Sequence, residues 1–132
     1  MISKQRSIVM DVDGTLCPIR RPDEGYSDLQ PFPEMLAQLM EYRKNGFYII
    51  LYSARNMNTF DGNVGRIAAV TGKQMMAWLD CHAIPYDEIH LGKPWPGRGG
   101  FYVDDKTIRP DEFLKLSYDE ILELIGDDPG GQ

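Results

Sequence analysis

Four short polar groups in this chain hold residues able to do chemistry: Asp11-Val12-Asp13-Gly14-Thr15, Ser53-Ala54-Arg55-Asn56, Gly92-Lys93-Pro94 and Asp104-Asp105. Asp11 and Asp13 stand two apart, the spacing that shares one face of a strand, and Gly14 permits the sharp turn that takes the chain away from it. Together with Asp104 and Asp105 they make a set of four carboxylates. Such a set needs a divalent cation, a cationic side chain or a proton to relieve its repulsion. Hard oxygen donors select Mg²⁺ over zinc. Four carboxylates against Mg²⁺ and Lys93 leave one negative charge, or none if Asp13 carries a proton as a general acid. A phosphate dianion is then acceptable. Ser53 offers it a hydroxyl and Lys93 a point charge, the positioning and electrostatic stabilisation that phosphoryl transfer chiefly needs.

The elements that must position these groups alternate between strand and helix. Strands are expected at Ser7–Met10, Phe47–Tyr52, Ile89–Leu91 and Phe101–Val103, with one polar group at or just past the end of each. The six apolar or aromatic residues from Phe47 to Tyr52 suit a strand covered on both faces. Pro33, Glu34 and Gly46 bound a helix over residues 33–45, with Leu36, Leu39, Met40 and Arg43 on one face. A longer helical stretch covers Asn63 to His82 with an interruption expected at Thr71-Gly72. Ser117 and Glu120 form a capping box that opens a helix through Ile125. This pattern is an α/β fold, a Rossmann-like parallel sheet flanked by helices. The carboxyl ends of parallel strands form one edge, so all four polar groups are expected to converge there.

Composition narrows the function classes. At 132 residues with 42% hydrophobic content, the chain suits one domain with a buried core. That domain is expected over residues 1–126, with a frayed tail at 127–132. Fourteen Lys and Arg against twenty Asp and Glu give a net charge of −6, the opposite sign from a nucleic-acid footprint. No apolar run reaches the roughly 20 residues of a membrane span, and Met1–Arg6 carries no signal-peptide core; a cytoplasmic protein is expected. Cys17 and Cys81 lie far apart in sequence and read as thiols without a catalytic role.

At these residues the sequence resembles the haloacid dehalogenase (HAD) superfamily of aspartate-nucleophile phosphatases. Asp11-Val12-Asp13-Gly14-Thr15, the strand-end Ser53, Lys93 after a further helix and the closing Asp104-Asp105 match its four motifs in order. The resemblance runs over roughly residues 8–113. The wording of 51–57, 92–97 and 101–113 is similar to a subgroup of capsule-biosynthesis phosphatases. The resemblance implies that Asp11 attacks phosphorus and forms an aspartyl-phosphate, and that Asp13 protonates the leaving oxygen and later deprotonates water. It implies Mg²⁺ held by the Asp11 carboxylate, the Asp13 main-chain carbonyl and Asp104, with Asp105 assisting directly or through water. Ser53 and Lys93 would hold the phosphoryl group, and Arg55 and Asn56 are further substrate-binding candidates. The expected substrate is a small sugar or polyol phosphate of surface-polysaccharide biosynthesis.

Members of that superfamily commonly carry an inserted cap domain. Residues 17–32 leave room only for a flap, so the chain is expected to be capless. Its site would stay open to a large substrate or be closed by the flap and a neighbouring subunit of a homo-oligomer. Arg20, Arg21 and Tyr26 on the flap are candidate specificity residues.

Other readings compete with this one. Strand-end Asp often serves turns, Ser53 is an ordinary cap residue, and Asp104-Asp105 could cap the turn at Lys106. Ser-x-Arg after the second strand also resembles 3′-phosphatases that process nucleic-acid ends, a partner the acidic balance argues against. A receiver-type phospho-switch shares the residue types in another order, with its acidic pair first. A silent scaffold would have no need of every one of these side chains. His82 and His90 read as structural or surface residues.

Overall fold

Three strands, β1 (Ser3–Asp11), β2 (Phe47–Ser53) and β3 (Glu88–Leu91), pair in parallel in the order β1-β2-β3 in the computed structural model, which describes residues 1–126. All three belong to the first of two compact units, Met1–Trp95; the second begins at Pro96. The expected tail at 127–132 lies outside the described residues.

Parallel neighbours cannot be joined by a tight turn, so each pair is linked through helix. Between β1 and β2 runs α1 (Pro33–Lys44), opened by Pro33 at its first turn and packed on β2. Its buried residues are Met35, Leu39 and Tyr42, one step round from the expected face. Met40 is exposed, and Arg43 leaves that face to grip Asp87 with both fork nitrogens, at 2.5 and 2.8 Å. Asp87 also accepts from the Ile49 amide (2.8 Å), so one carboxylate ties α1 to β2 and the approach to β3. The Tyr42 and Phe47 rings meet edge to face at 4.9 Å, joining the end of α1 to the start of β2.

Between β2 and β3 runs α2 (Val64–Arg66), a π-helical stretch (Ile67–Thr71) and α3 (Gly72–Cys81). The break expected at Thr71-Gly72 is absent, because both residues keep right-handed helical dihedrals. Gly72 answers a different need. A Cβ there would stand 3.3 Å from Leu91 Cδ1, so the missing side chain lets the helix approach the end of β3. Ile67, Met75 and Leu79 are fully buried, as are Ile49, Leu51, Val12, Leu16 and Leu39, and together they form the core of this unit.

β2 alternates strictly, with Phe47, Ile49, Leu51 and Ser53 buried and the residues between them half-buried. The strand is therefore covered unequally on its two faces, where uniform burial was expected. Residues 17–32 contain only one 3₁₀ turn, Tyr26–Asp28, and among the described residues no cap domain is inserted before β2 or between β2 and β3.

In the second unit, Phe101–Val103 is irregular and not a strand. Gly97, Gly99 and Gly100 precede it, and Gly100 stands against the Pro96 carbonyl where a Cβ could not; three apolar residues in such a setting do not by themselves secure a ladder partner. Two helices follow, α4 (Pro110–Lys115) and α5 (Tyr118–Leu124). The Ser117–Glu120 capping box is formed reciprocally, at 2.9 and 3.2 Å. Among the described residues no helix is long and apolar enough to cross a membrane.

Glu88 joins the three strands electrostatically. Its carboxylate shares a 2.8 Å hydrogen bond with His90, accepts from Tyr48 of β2 at 2.7 Å and pairs with Lys4 of β1 at 3.2 Å. These partners, His90 first, hold its pKa at about 2 against an ordinary 4.5. A depressed carboxylate contributes stability above its ordinary range and loses it as pH falls through the folded value. Glu88→Gln should therefore lower the denaturant midpoint at pH 7, with the gap to the parent protein closing as pH falls from 4.5 towards 2. Urea titrations of both proteins across that range check this.

Candidate active site at the carboxyl edge of the sheet

In the parallel register Asp11 faces Tyr52, and Ser53 faces Leu91. The three strands thus end within one residue step of each other. The ladder continues past β3 through the Lys93 amide, which donates to the Ser53 carbonyl (3.1 Å). From there the Lys93 side chain passes over the Tyr52 ring, 5.6 Å from its centroid, and brings Nζ to 3.6 Å from Asp11 Oδ1. Of the four polar groups expected at the strand ends, those of Asp11, Ser53 and Lys93 lie along this edge.

The turn after β1 is held by the Val12 carbonyl, which accepts from the amides of Thr15, Leu16 and Cys17 (3.2, 2.8 and 3.2 Å). Gly14 sits at φ +87°, a left-handed conformation that glycine adopts at little cost. This winding returns the Thr15 hydroxyl to Asp11 Oδ2 at 3.1 Å. Thr15 has no place among the expected site residues, although a hydroxyl four positions on, across a glycine turn, is the sequence signal for it. Burial raises the pKa of Asp11 above the ordinary carboxylate value, and neighbouring Asp13 adds to the rise. Lys93 and the Thr15 hydrogen bond oppose it without cancelling it. The carboxylate is short of positive charge.

Asp13 has a different environment. Both its oxygens are taken by Arg55, Nε to Oδ2 at 3.0 Å and Nη2 to Oδ1 at 2.8 Å. The Arg55 side chain is wholly buried, with the Tyr26 ring of the flap 4.0 Å from its guanidinium carbon. Arg20 lies 5.0 Å from the centroid of that same ring.

Ser53 is 1% exposed, and its Oγ accepts from the Arg55 amide at 3.0 Å. Its hydroxyl can also donate a proton to a further acceptor. Asn56, at φ +64°, spends its side-chain amide on Thr71 Oγ1 (2.7 Å), tying the loop after β2 to the π-helical stretch. Arg21 braces the flap through its backbone amide, which donates to Glu24 Oε1 at 3.0 Å. His82 stacks near Trp78 (5.0 Å) and His90 is bonded to Glu88, so both serve packing and strand pairing.

Asp104 and Asp105 belong to the second unit. There Asp104 Oδ1 accepts from the Lys106 amide at 3.0 Å; that bond first, then one from Asp105, holds its pKa below the ordinary carboxylate value. Within residues 1–95, no third His, Cys, Asp or Glu joins Asp11 and Asp13 in a metal-holding group. The donors present in that unit are hard oxygens, the Asp11 carboxylate and the Asp13 carbonyl. They fit a hard divalent cation of the Mg²⁺ kind, and the uncompensated burial of Asp11 is what such a cation would relieve.

Among solved structures the chain is 43% identical to an MCSG target from Vibrio cholerae, with a TM-score of 0.86 over 92% of this chain and 97% of that one. The chain belongs to one family with that protein. Chains of the Pnkp1/Rnl/Hen1 complex and of the Pnkp1/Rnl/Hen1 RNA repair complex align at TM-scores of 0.48 and 0.46, with 21% and 17% identity. Those alignments cover 83% and 75% of this chain but 34% and 30% of theirs, a likeness too low to bear on this chain's fold or activity. No family model and no curated protein matches the chain.

Cys17 is fully buried, 3.6 Å from Asp13 Oδ1. Burial, with Asp13 next in importance, pushes its thiol up to about 12, whereas Cys81 is exposed. Since the thiolate is the reactive form, iodoacetamide at pH 8 should label Cys81 and spare Cys17 until the protein is denatured. Peptide mass spectrometry reads the difference; labelling of Cys17 in the native protein would contradict its burial.

Proposed function

We propose that this protein is a Mg²⁺-dependent phosphomonoester hydrolase of the HAD type, acting through an aspartyl-phosphate on Asp11. The observation that carries the reading is the pairing of a half-buried strand-end carboxylate, Asp11, with Lys93 at the carboxyl edge of a parallel sheet. Asp13 lies on the turn that follows Asp11, and Ser53 ends the middle strand, β2, between the two.

In this reading Asp11 attacks phosphorus in line while the ester P–O bond breaks, and Asp13 gives its proton to the leaving oxygen. Asp13 then takes a proton from the water that attacks the acyl phosphate. The P–O bond to Asp11 breaks, phosphate leaves, and the carboxylate is restored. Thr15 fixes the rotation of the nucleophile through Oδ2, which leaves Oδ1 on the Lys93 side. Ser53 and Lys93 hold the phosphoryl oxygens, with Asn56 shaping the loop that carries Ser53. The Asp11 carboxylate and the Asp13 carbonyl would hold Mg²⁺, which when bound neutralises charge on the transferring group. The HAD resemblance adds Asp104 and Asp105 to that set. It also supplies the substrate class, a small sugar or polyol phosphate of surface-polysaccharide biosynthesis, and the cytoplasmic setting.

Multiple turnover of a sugar- and polyol-phosphate panel, present with Mg²⁺ and lost with EDTA, is the expected result. Faster turnover of 3′-phosphorylated oligonucleotides would replace the substrate class, and one labelling event without turnover would leave a phospho-switch. Asp11→Asn should reduce hydrolysis to background. Because burial opposes the Asp11 charge, the same neutral replacement should leave the thermal midpoint at or above that of the parent protein. Retained turnover in Asp11→Asn would sink the nucleophile assignment.

A further inference from the structure

The Arg55 side chain is wholly buried, yet among the described residues its polar head meets two partners: the Asp13 carboxylate and the face of Tyr26. Its third nitrogen, Nη1, is a buried polar atom without a hydrogen-bond partner among the described residues. An arginine placed to bind elements together would spread its five donors over several acceptors. Here two donors are concentrated on one carboxylate in the fork-to-fork geometry that fixes orientation as well as distance. The Tyr26 ring lies over the guanidinium, its centroid 4.0 Å from the guanidinium carbon, a contact that suits arginine's flat, weakly hydrated group better than a lysine ammonium.

We propose that Arg55 is a positioning residue that acts through Asp13, and that Tyr26 of the flap is the clamp that keeps it there. This rests on the reading of Asp13 as the proton-transfer group. A carboxylate that has just given its proton to the leaving oxygen is acceptor-only, and the two-donor fork seats that form. The fork therefore serves the second half of the reaction, in which Asp13 must meet the attacking water in a set orientation. Arg55 does not reach the substrate in this role.

The test is a comparison of Arg55→Lys and Tyr26→Leu with the parent protein, using glucose 6-phosphate and glycerol 3-phosphate with Mg²⁺ and measuring acid-quenched protein-bound phosphate. By analogy with displaced catalytic groups, Arg55→Lys should lower kcat about 100-fold with KM moved by less than about threefold. Phosphorylated Asp11 should accumulate because its hydrolysis, not its formation, is slowed. Tyr26→Leu, which keeps the charge and removes the clamp, should give the same accumulation with a smaller loss, about tenfold in kcat. It carries the test if circular dichroism finds Arg55→Lys unfolded. Added guanidinium should partly restore Arg55→Ala. A raised KM with kcat preserved would make Arg55 a substrate contact and overturn the proposal, as would loss of rate without accumulation. A parent protein that hydrolyses neither these esters nor the wider panel would instead defeat the phosphatase reading, and this inference with it.

Discussion

Parallel pairing of three short strands makes one edge of the sheet a collecting line for the residues that follow each strand. Asp11, Ser53 and Lys93 come from segments about forty residues apart and reach that edge because the register admits no other arrangement of the buried alternation in β2. A slip of one residue would carry Ser53 to the opposite face along with Phe47, Ile49 and Leu51. The hydrophobic burial that sets the register thus also sets the site. The crossover helices serve the same end, and Gly72 shows how closely: one added methyl would press on Leu91, two residues before Lys93.

At that edge the electrostatics divide into two unlike carboxylates. Asp11 is half-buried with a single cation at 3.6 Å, and burial wins over that partner. Asp13 has a buried guanidinium fork on both oxygens. Removing one partner of such a pair leaves an uncompensated buried charge, which costs far more than an exposed pair ever contributes. In the proposed reaction this difference would suit Asp11 as the nucleophile and Asp13 as a proton carrier whose direction is held. Tyr26 links this division to the flap, since the ring that covers Arg55 is carried by residues 17–32.

Much of the frame was legible in the residues. Pro33 opened α1, Ser117 and Glu120 capped α5, and the apolar run from Phe47 marked the central strand, because each signal acts over a few neighbouring residues. Signals that needed a distant partner were misread or invisible. Phe101–Val103 has strand composition without strand pairing. The glycine at 72 looked like a break and is a close approach. The face of α1 turned by one step because Arg43 found Asp87 forty-four positions away.

The sequence alone determined the alternating α/β order, the acidic turn with its glycine, and the identities of the groups at the strand ends, since these follow from local periodicity and turn chemistry. Tertiary structure alone decided how those groups are used. Nothing in the spacing says that Arg55 would turn inward to Asp13 under Tyr26, or that Lys93 would cross Tyr52 to Asp11. Those choices depend on burial, and burial belongs to the packed chain rather than to any stretch of it.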